Sequence, residues 1–147
     1  MTRYDMDKVL DDIQSGIEDE EAKRFSPKVL REARNPSNVG RLGSPHSIAS
    51  MTGDCGDTME FSLIIREDRI EEIRFLTDGC GSSIACGSVT TRIAKGKTIK
   101  EARMISERDI LDLLGGLPDE NEHCARLAAK TLHKALDLYC GKGGTDR

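Results

Sequence analysis

Over residues 47–77 the apolar positions alternate with polar ones in three runs, "SIASMT", "TMEFSLIIR" and "RIEEIRFLTD", each read as a β-strand. The last two are joined at "EDR", a connection short enough to predict a hairpin. Elsewhere the period is helical. Met6, Val9, Leu10, Ile13 and Ile17 predict an amphipathic opening helix with an acidic outer face, suited to packing or to docking on another subunit, and "EDEE" after it reads as a hinge. "SPKVLREARNPSNVG" predicts a short helix with Ser26 as N-cap and Pro27 as its first residue, stopped at Asn35-Pro36. From Ser82 onward "SSIACGSVTTRIAKG", "TIKEARM" and "SERDILDLLGG" read as helices opened by Ser or Thr and mostly closed by Gly. A long last helix, "EHCARLAAKTLHKALDLYC", carries Cys124, Leu127, Ala128, Thr131, Ala135, Leu136 and Tyr139 as one stripe. The order predicts an α+β fold: a three-stranded antiparallel sheet packed on one face by helices, with an extra N-terminal helix.

At 147 residues the chain suffices for one core without disulfide or metal staples, so a metal would be present for chemistry. The 22 basic and 26 acidic residues give a net charge of -4 with no dense basic block, and Trp is absent, so nucleic acid is not an expected partner. No window reaches the roughly 18 apolar residues of a membrane span. "MTRYDMDKVLDD" is too acidic for a signal or transit sequence, and a soluble, cytoplasmic protein is expected.

Five cysteines, at 55, 80, 86, 124 and 140, make a disulfide framework improbable in such a chain. Three stand at element boundaries: Cys55 in the glycine-rich "GDCGD" turn, Cys80 in "DGCGSS" before a helix, and Cys124 at the start of the last helix. A helix N-terminus favours thiolate over thiol, so Cys80 and Cys124 are both expected to gain thiolate character. With Asp57 and His123 these thiols form a mixed donor set for zinc or iron, whose carboxylate is the exchangeable member. The scattered thiols could also be ordinary core residues.

"NPSNVG", "CGD", "GCGSSIA", "KGK" and "LP....HC" occur in the order and approximate spacing of the IscU/NifU-type iron-sulfur cluster assembly scaffolds, which the chain resembles from about Phe25 to Tyr139. The resemblance implies a scaffold domain over 25–140, an N-terminal helical extension over 1–24 and a flexible C-terminal tail over 141–147. It implies that Cys55, Cys80 and Cys124 hold a nascent two-iron two-sulfur (2Fe-2S) cluster, with Asp57 or His123 completing the set and Asp57 keeping it labile. Cys124 would be the persulfide acceptor, with His123 as ligand or proton acceptor. The partners implied are a cysteine desulfurase, apo-proteins that receive the cluster and an electron donor such as ferredoxin; a homo-oligomer is possible. Zinc can bind the same residues when no cluster is present. Such a protein is not an enzyme in the ordinary sense.

Two departures carry weight. Where well-known bacterial scaffolds have Leu-Pro-Pro-Val-Lys, the site for an Hsp70-type chaperone, this chain has "LPDENEHC", which argues against that partner. His123, and the lack of an insertion between the second and third cysteines, argue against the zinc-dependent sulfur-acceptor branch called SufU. An alternative enzyme reading, with Cys124 as nucleophile, meets the difficulty that neighbours on a helix point about 100° apart. Cys86 is expected to be a buried helix thiol, with sulfur relay as its alternative, and Cys140 to be incidental. His46 and His133 are expected to be solvated, and Lys95 and Lys97 to form a basic surface spot.

Overall fold

The computed structural model describes residues 24–141. The expected N-terminal amphipathic helix, its acidic hinge and the tail beyond Gly141 lie outside these residues. Helix α1 (Pro27–Arg34) begins where Ser26 Oγ accepts from the Val29 amide at 3.2 Å. Pro27 fills a first-turn position that needs no N–H, and the helix stops at Asn35, before Pro36.

Strands β1 (Ser47–Thr52), β2 (Thr58–Arg66) and β3 (Arg69–Thr77) pair antiparallel in chain order. The β2–β3 turn is Glu67-Asp68, with φ of 52° and 66°, the handedness that matches a two-residue hairpin to the twist of its strands. Alternation turns Met59, Phe61 and Leu63 inward, and the register sets Phe61 opposite Phe75 and Leu63 opposite Ile73. A register shift after Ile64 leaves Glu71 as the extra residue of β3, so Ile70 and Ile73, three positions apart, both reach the core.

Helices α2 (Gly81–Ala94), α3 (Ile99–Arg103), α4 (Glu107–Leu114) and α5 (Glu122–Gly141) follow, with a 3-10 turn at Asp119–Asn121. Helix α5 lies along β1 and β2, and α2 along β3. Gly87 sets the second contact: a Cβ there would fall 2.4 Å from the Phe75 ring. On the opposite face of the sheet, Arg41 grips Glu60 through two hydrogen bonds of 2.7 and 2.8 Å, and the Leu42 amide donates to Ser62 Oγ at 3.1 Å. The 41–46 segment therefore covers part of the face that, among the described residues, carries no helix.

"NPSNVG" is a structural clasp. The Ser37 amide donates to Ser88 Oγ at 2.8 Å, Asn38 donates to Thr91 Oγ1 at 3.0 Å from left-handed backbone, and Val39 pairs with Phe75. Beside it the buried Glu32 accepts from Ser88 Oγ at 2.6 Å and pairs with Arg92. Among the described residues no helix is long and apolar enough to cross a membrane.

Two expectations need correction, the start of α2 and the solvation of His133. Helix α2 does not open with Ser82 as its cap: Cys80 takes the N-cap, because Gly81 already has helical geometry, and Ser82 and Ser83 fall inside the first turn. His46 is exposed, as expected, with its Nδ1 accepting from the Ile65 amide at 3.1 Å, whereas His133 is half-buried and its Nε2 donates to the Ile105 carbonyl at 2.8 Å. Cys140 is buried under an Arg103 guanidinium that donates to its sulfur at 3.3 Å. Lys95 pairs with Glu72 at 3.3 Å.

Candidate metal and sulfur site

The chain leaves β1 and β3, and enters β2, at one end of the sheet. The same end receives the N-termini of α2 and α5. Both helix ends therefore direct unpaired amides and partial positive charge towards one spot, where thiolate and carboxylate are favoured.

Cys55 and Asp57 are delivered by the β1–β2 loop. Its ends are closed by Gly53 N–H to Asp57 O at 2.8 Å, and Gly56, with φ of 90°, makes the bend that a side chain would strain. Asp78 braces the base of this loop by accepting from the Thr58 amide at 2.8 Å. Gly79 then allows the loop and α2 to meet, since a Cβ there would sit 2.4 Å from Ser83 Oγ and 2.9 Å from Asp57 Oδ2. Cys80 follows, exposed, and His123 and Cys124 occupy the first turn of α5.

Within this space His123 Nε2 lies 2.9 Å from Cys55 Sγ and 3.7 Å from Cys124 Sγ. The imidazole is long enough to bring its far nitrogen back over the neighbouring residue, so the roughly 100° angular separation of successive helix positions does not keep the pair apart. Ser82 Oγ touches Cys80 Sγ at 3.0 Å and Cys124 Sγ at 3.4 Å. Ser83 Oγ donates to Asp57 Oδ2 at 3.3 Å and lies 3.4 Å from Cys124 Sγ. Two ligand-competent triads result: Cys55, Asp57 and His123 at the exposed lip, and Asp57, Cys80 and Cys124 deeper in, with the donor atoms of each within 4.8 Å of one another. Asp57 belongs to both. All five residues singled out in the sequence are brought together, and Cys86 lies buried in the core beneath.

The two helix-end thiols differ, contrary to the expectation of thiolate character at both. Burial pushes Cys80 up, but the Ser82 hydroxyl and the backbone amides of Ser83 and Ser82 outweigh it, leaving this thiol below the ordinary cysteine range. Cys124 is only 1% exposed, and burial, reinforced by the neighbouring sulfurs of Cys80 and Cys55, raises it despite the serine hydroxyls. Burial pushes Cys86 well above the usual value, which makes it an inert thiol and a poor sulfur relay.

Sequence reasoning missed Ser82, Ser83, Asp78 and Asn121. The serine pair looked like helix-cap chemistry, and only the placement of Cys80 at the cap turns both hydroxyls towards the ligands. Asn121, from the 3-10 turn, donates Nδ2 to Ser82 Oγ at 3.1 Å.

The family model described as the NifU-like N terminal domain matches residues 24–146. The iron-sulfur cluster assembly scaffold protein IscU 1 of Archaeoglobus fulgidus is 40% identical over 121 residues, covering 82% of this chain and 79% of that protein. Its counterpart IscU from Aquifex aeolicus is 41% identical over 123 residues, covering 82% and 78%. Among solved structures, the N-terminal part of a nitrogen-fixing NifU-like protein from Brucella abortus superposes with a TM-score of 0.63 over 80% of this chain and 94% of that one, at 20% identity. The fold is thus shared even where little sequence is, and with a match that spans every described residue the chain belongs to the NifU-like N-terminal domain family.

Proposed function

We propose that this protein is a scaffold on which a labile 2Fe-2S cluster is assembled from ferrous iron and persulfide sulfur, and from which it passes to apo-proteins. The observation that carries the reading is the convergence of Cys55, Asp57, Cys80, His123 and Cys124, with Asp57 within reach of both triads. Three sulfur donors suit iron-sulfur cargo, and a carboxylate among them gives a ligand that exchanges readily. The scaffold names borne by relatives at about 40% identity support the same reading. Zinc suits the same donors and would occupy them between rounds of assembly.

Cys124 is the sulfur acceptor in this scheme. It first gives its proton to a base, and His123 Nε2 stands 3.7 Å away to take it. The thiolate then attacks the outer sulfur of a desulfurase persulfide; a new S–S bond forms on Cys124, the old one breaks, and the desulfurase cysteine leaves as thiolate. This exchange is redox-neutral. Bringing two such sulfurs to sulfide takes four electrons, of which oxidation of two ferrous ions supplies two and a donor such as a ferredoxin supplies the others.

Replacing Asp57 by Ala tests the role of the exchangeable ligand. The reading expects a longer-lived cluster and slower delivery to an apo-ferredoxin, followed by visible absorption and circular dichroism. Equal cluster lifetimes in Asp57→Ala and wild type count against it.

A further inference from the structure

We propose that Asn121 is a positioning residue of the site that acts through Ser82: its amide N–H fills an acceptor position of the Ser82 hydroxyl and turns the hydroxyl proton onto the sulfurs of Cys80 and Cys124. The inference rests on the scaffold reading above. A serine hydroxyl has one proton and two acceptor positions, and an amide nitrogen can only donate. Ser82 is 1% exposed, so water does not compete. Its Oγ accepts from Asn121 Nδ2 at 3.1 Å and has as its other hydrogen-bonding neighbours, among the described residues, Cys80 Sγ at 3.0 Å and Cys124 Sγ at 3.4 Å. With the amide in place, a sulfur is the remaining destination for the proton.

The far end of the same amide points to function rather than packing. Among the described residues Asn121 Oδ1 is buried without a hydrogen-bond partner, an arrangement that detracts from stability. The reverse orientation of the amide would place the carbonyl on Ser82 and draw its proton away from the sulfurs, so the direction of this one hydrogen bond decides whether the single hydroxyl proton reaches the two sulfurs that share it. A thiolate that accepts an O–H bond gives less electron density to a metal, which tunes both potential and ligand exchange. Asn121 lies in the "LPDENEHC" stretch, where this chain departs from the Leu-Pro-Pro-Val-Lys pattern.

The test uses the full chain, anaerobic, with Co2+ alone as probe, following its affinity and its thiolate-to-cobalt charge-transfer band. Ser82→Ala is expected to move the band to longer wavelength, because the thiolates it frees give more electron density to the metal. Asn121→Asp presents only acceptors to Ser82 and is expected to move the band the same way. In the Ser82→Ala background Asn121→Asp should add nothing, because its effect passes through the missing hydroxyl. An unshifted band in Ser82→Ala, or an Asn121→Asp shift that persists at full size in that background, overturns the proposal. Asn121→Asp keeps the side chain's shape at a half-buried turn, so it reports even if Ser82→Ala does not fold, and an unshifted band there also overturns it. A wild-type protein without a thiolate band, or with one that survives replacement of Cys55, Cys80 and Cys124 together by Ala, would overturn the site reading itself and this inference with it.

Discussion

Gly79→Ala probes how closely the site is packed into its own support. The new Cβ would lie 2.4 Å from Ser83 Oγ, 2.6 Å from Ser83 Cβ and 2.9 Å from Asp57 Oδ2. The hydroxyl can rotate and the carboxylate can swing, but Ser83 Cβ is fixed to the α2 backbone. Restoring an ordinary carbon–carbon separation there requires about 1 Å of movement. Helix α2 cannot supply it, because Gly87 already sits against the Phe75 ring and Ser83 is wholly buried. The displacement therefore falls on the loop that carries Cys80. Overpacking of this kind costs about 1–3 kcal/mol, which for a domain of this size lowers Tm by about 3–10 °C. Rotation of Ser83 also breaks its contacts with Asp57 and Cys124, so Co2+ affinity should fall by about tenfold or more. Gly43→Ala, with nothing within 4 Å and ordinary backbone, is the control and should stay within about 0.5 kcal/mol of wild type. Thermal unfolding of the metal-free protein by circular dichroism, alongside a Co2+ titration, reads both effects. A Gly79→Ala protein with wild-type Tm and wild-type affinity would refute the argument.

Glu32→Ala leaves the wholly buried Ser88 hydroxyl and Arg92 without their acceptor, so the urea midpoint should drop by the equivalent of about 1–3 kcal/mol with no change in slope; an unchanged midpoint would show that the clasp does not hold α1. Cys80, exposed and below the ordinary cysteine value, should be alkylated by iodoacetamide at lower pH than Cys124, which is buried and above it. Peptide mass spectrometry across the pH range reads the order, and labelling of Cys124 first would contradict it. Because burial raises Cys124 above the ordinary cysteine value and metal must displace its proton, Co2+ affinity should go on rising with pH past that value, whereas a profile that levels off below it would mean that Cys124 is already ionised.

The strands and the hairpin were legible because half-burial imposes a period of two, and Glu67-Asp68 leaves no room for a longer turn. The helix boundaries followed from Ser26, Thr98 and Ser106, each of which accepts from a first-turn amide as cap residues do. At α2 the same rule misled, since a Ser-Ser pair reads as a cap whatever precedes it. The five site residues were legible through the family resemblance and through their placement beside glycines and helix starts. Their protonation was not. A helix-end argument counts the local field, whereas the 1% exposure of Cys124 comes from packing against distant elements. The Asn121–Ser82 contact joins residues 39 apart, and the Arg41–Glu60 pair across the sheet is likewise a product of tertiary folding. No period or spacing encodes either.

The most direct measurement is anaerobic reconstitution of the full chain with ferrous iron, a cysteine desulfurase and cysteine, followed by visible absorption and by iron and sulfide quantitation. The account predicts a red-brown protein with equal iron and sulfide, lost in Cys80→Ala. A colourless protein that keeps one tightly bound zinc and gains no sulfide would contradict it.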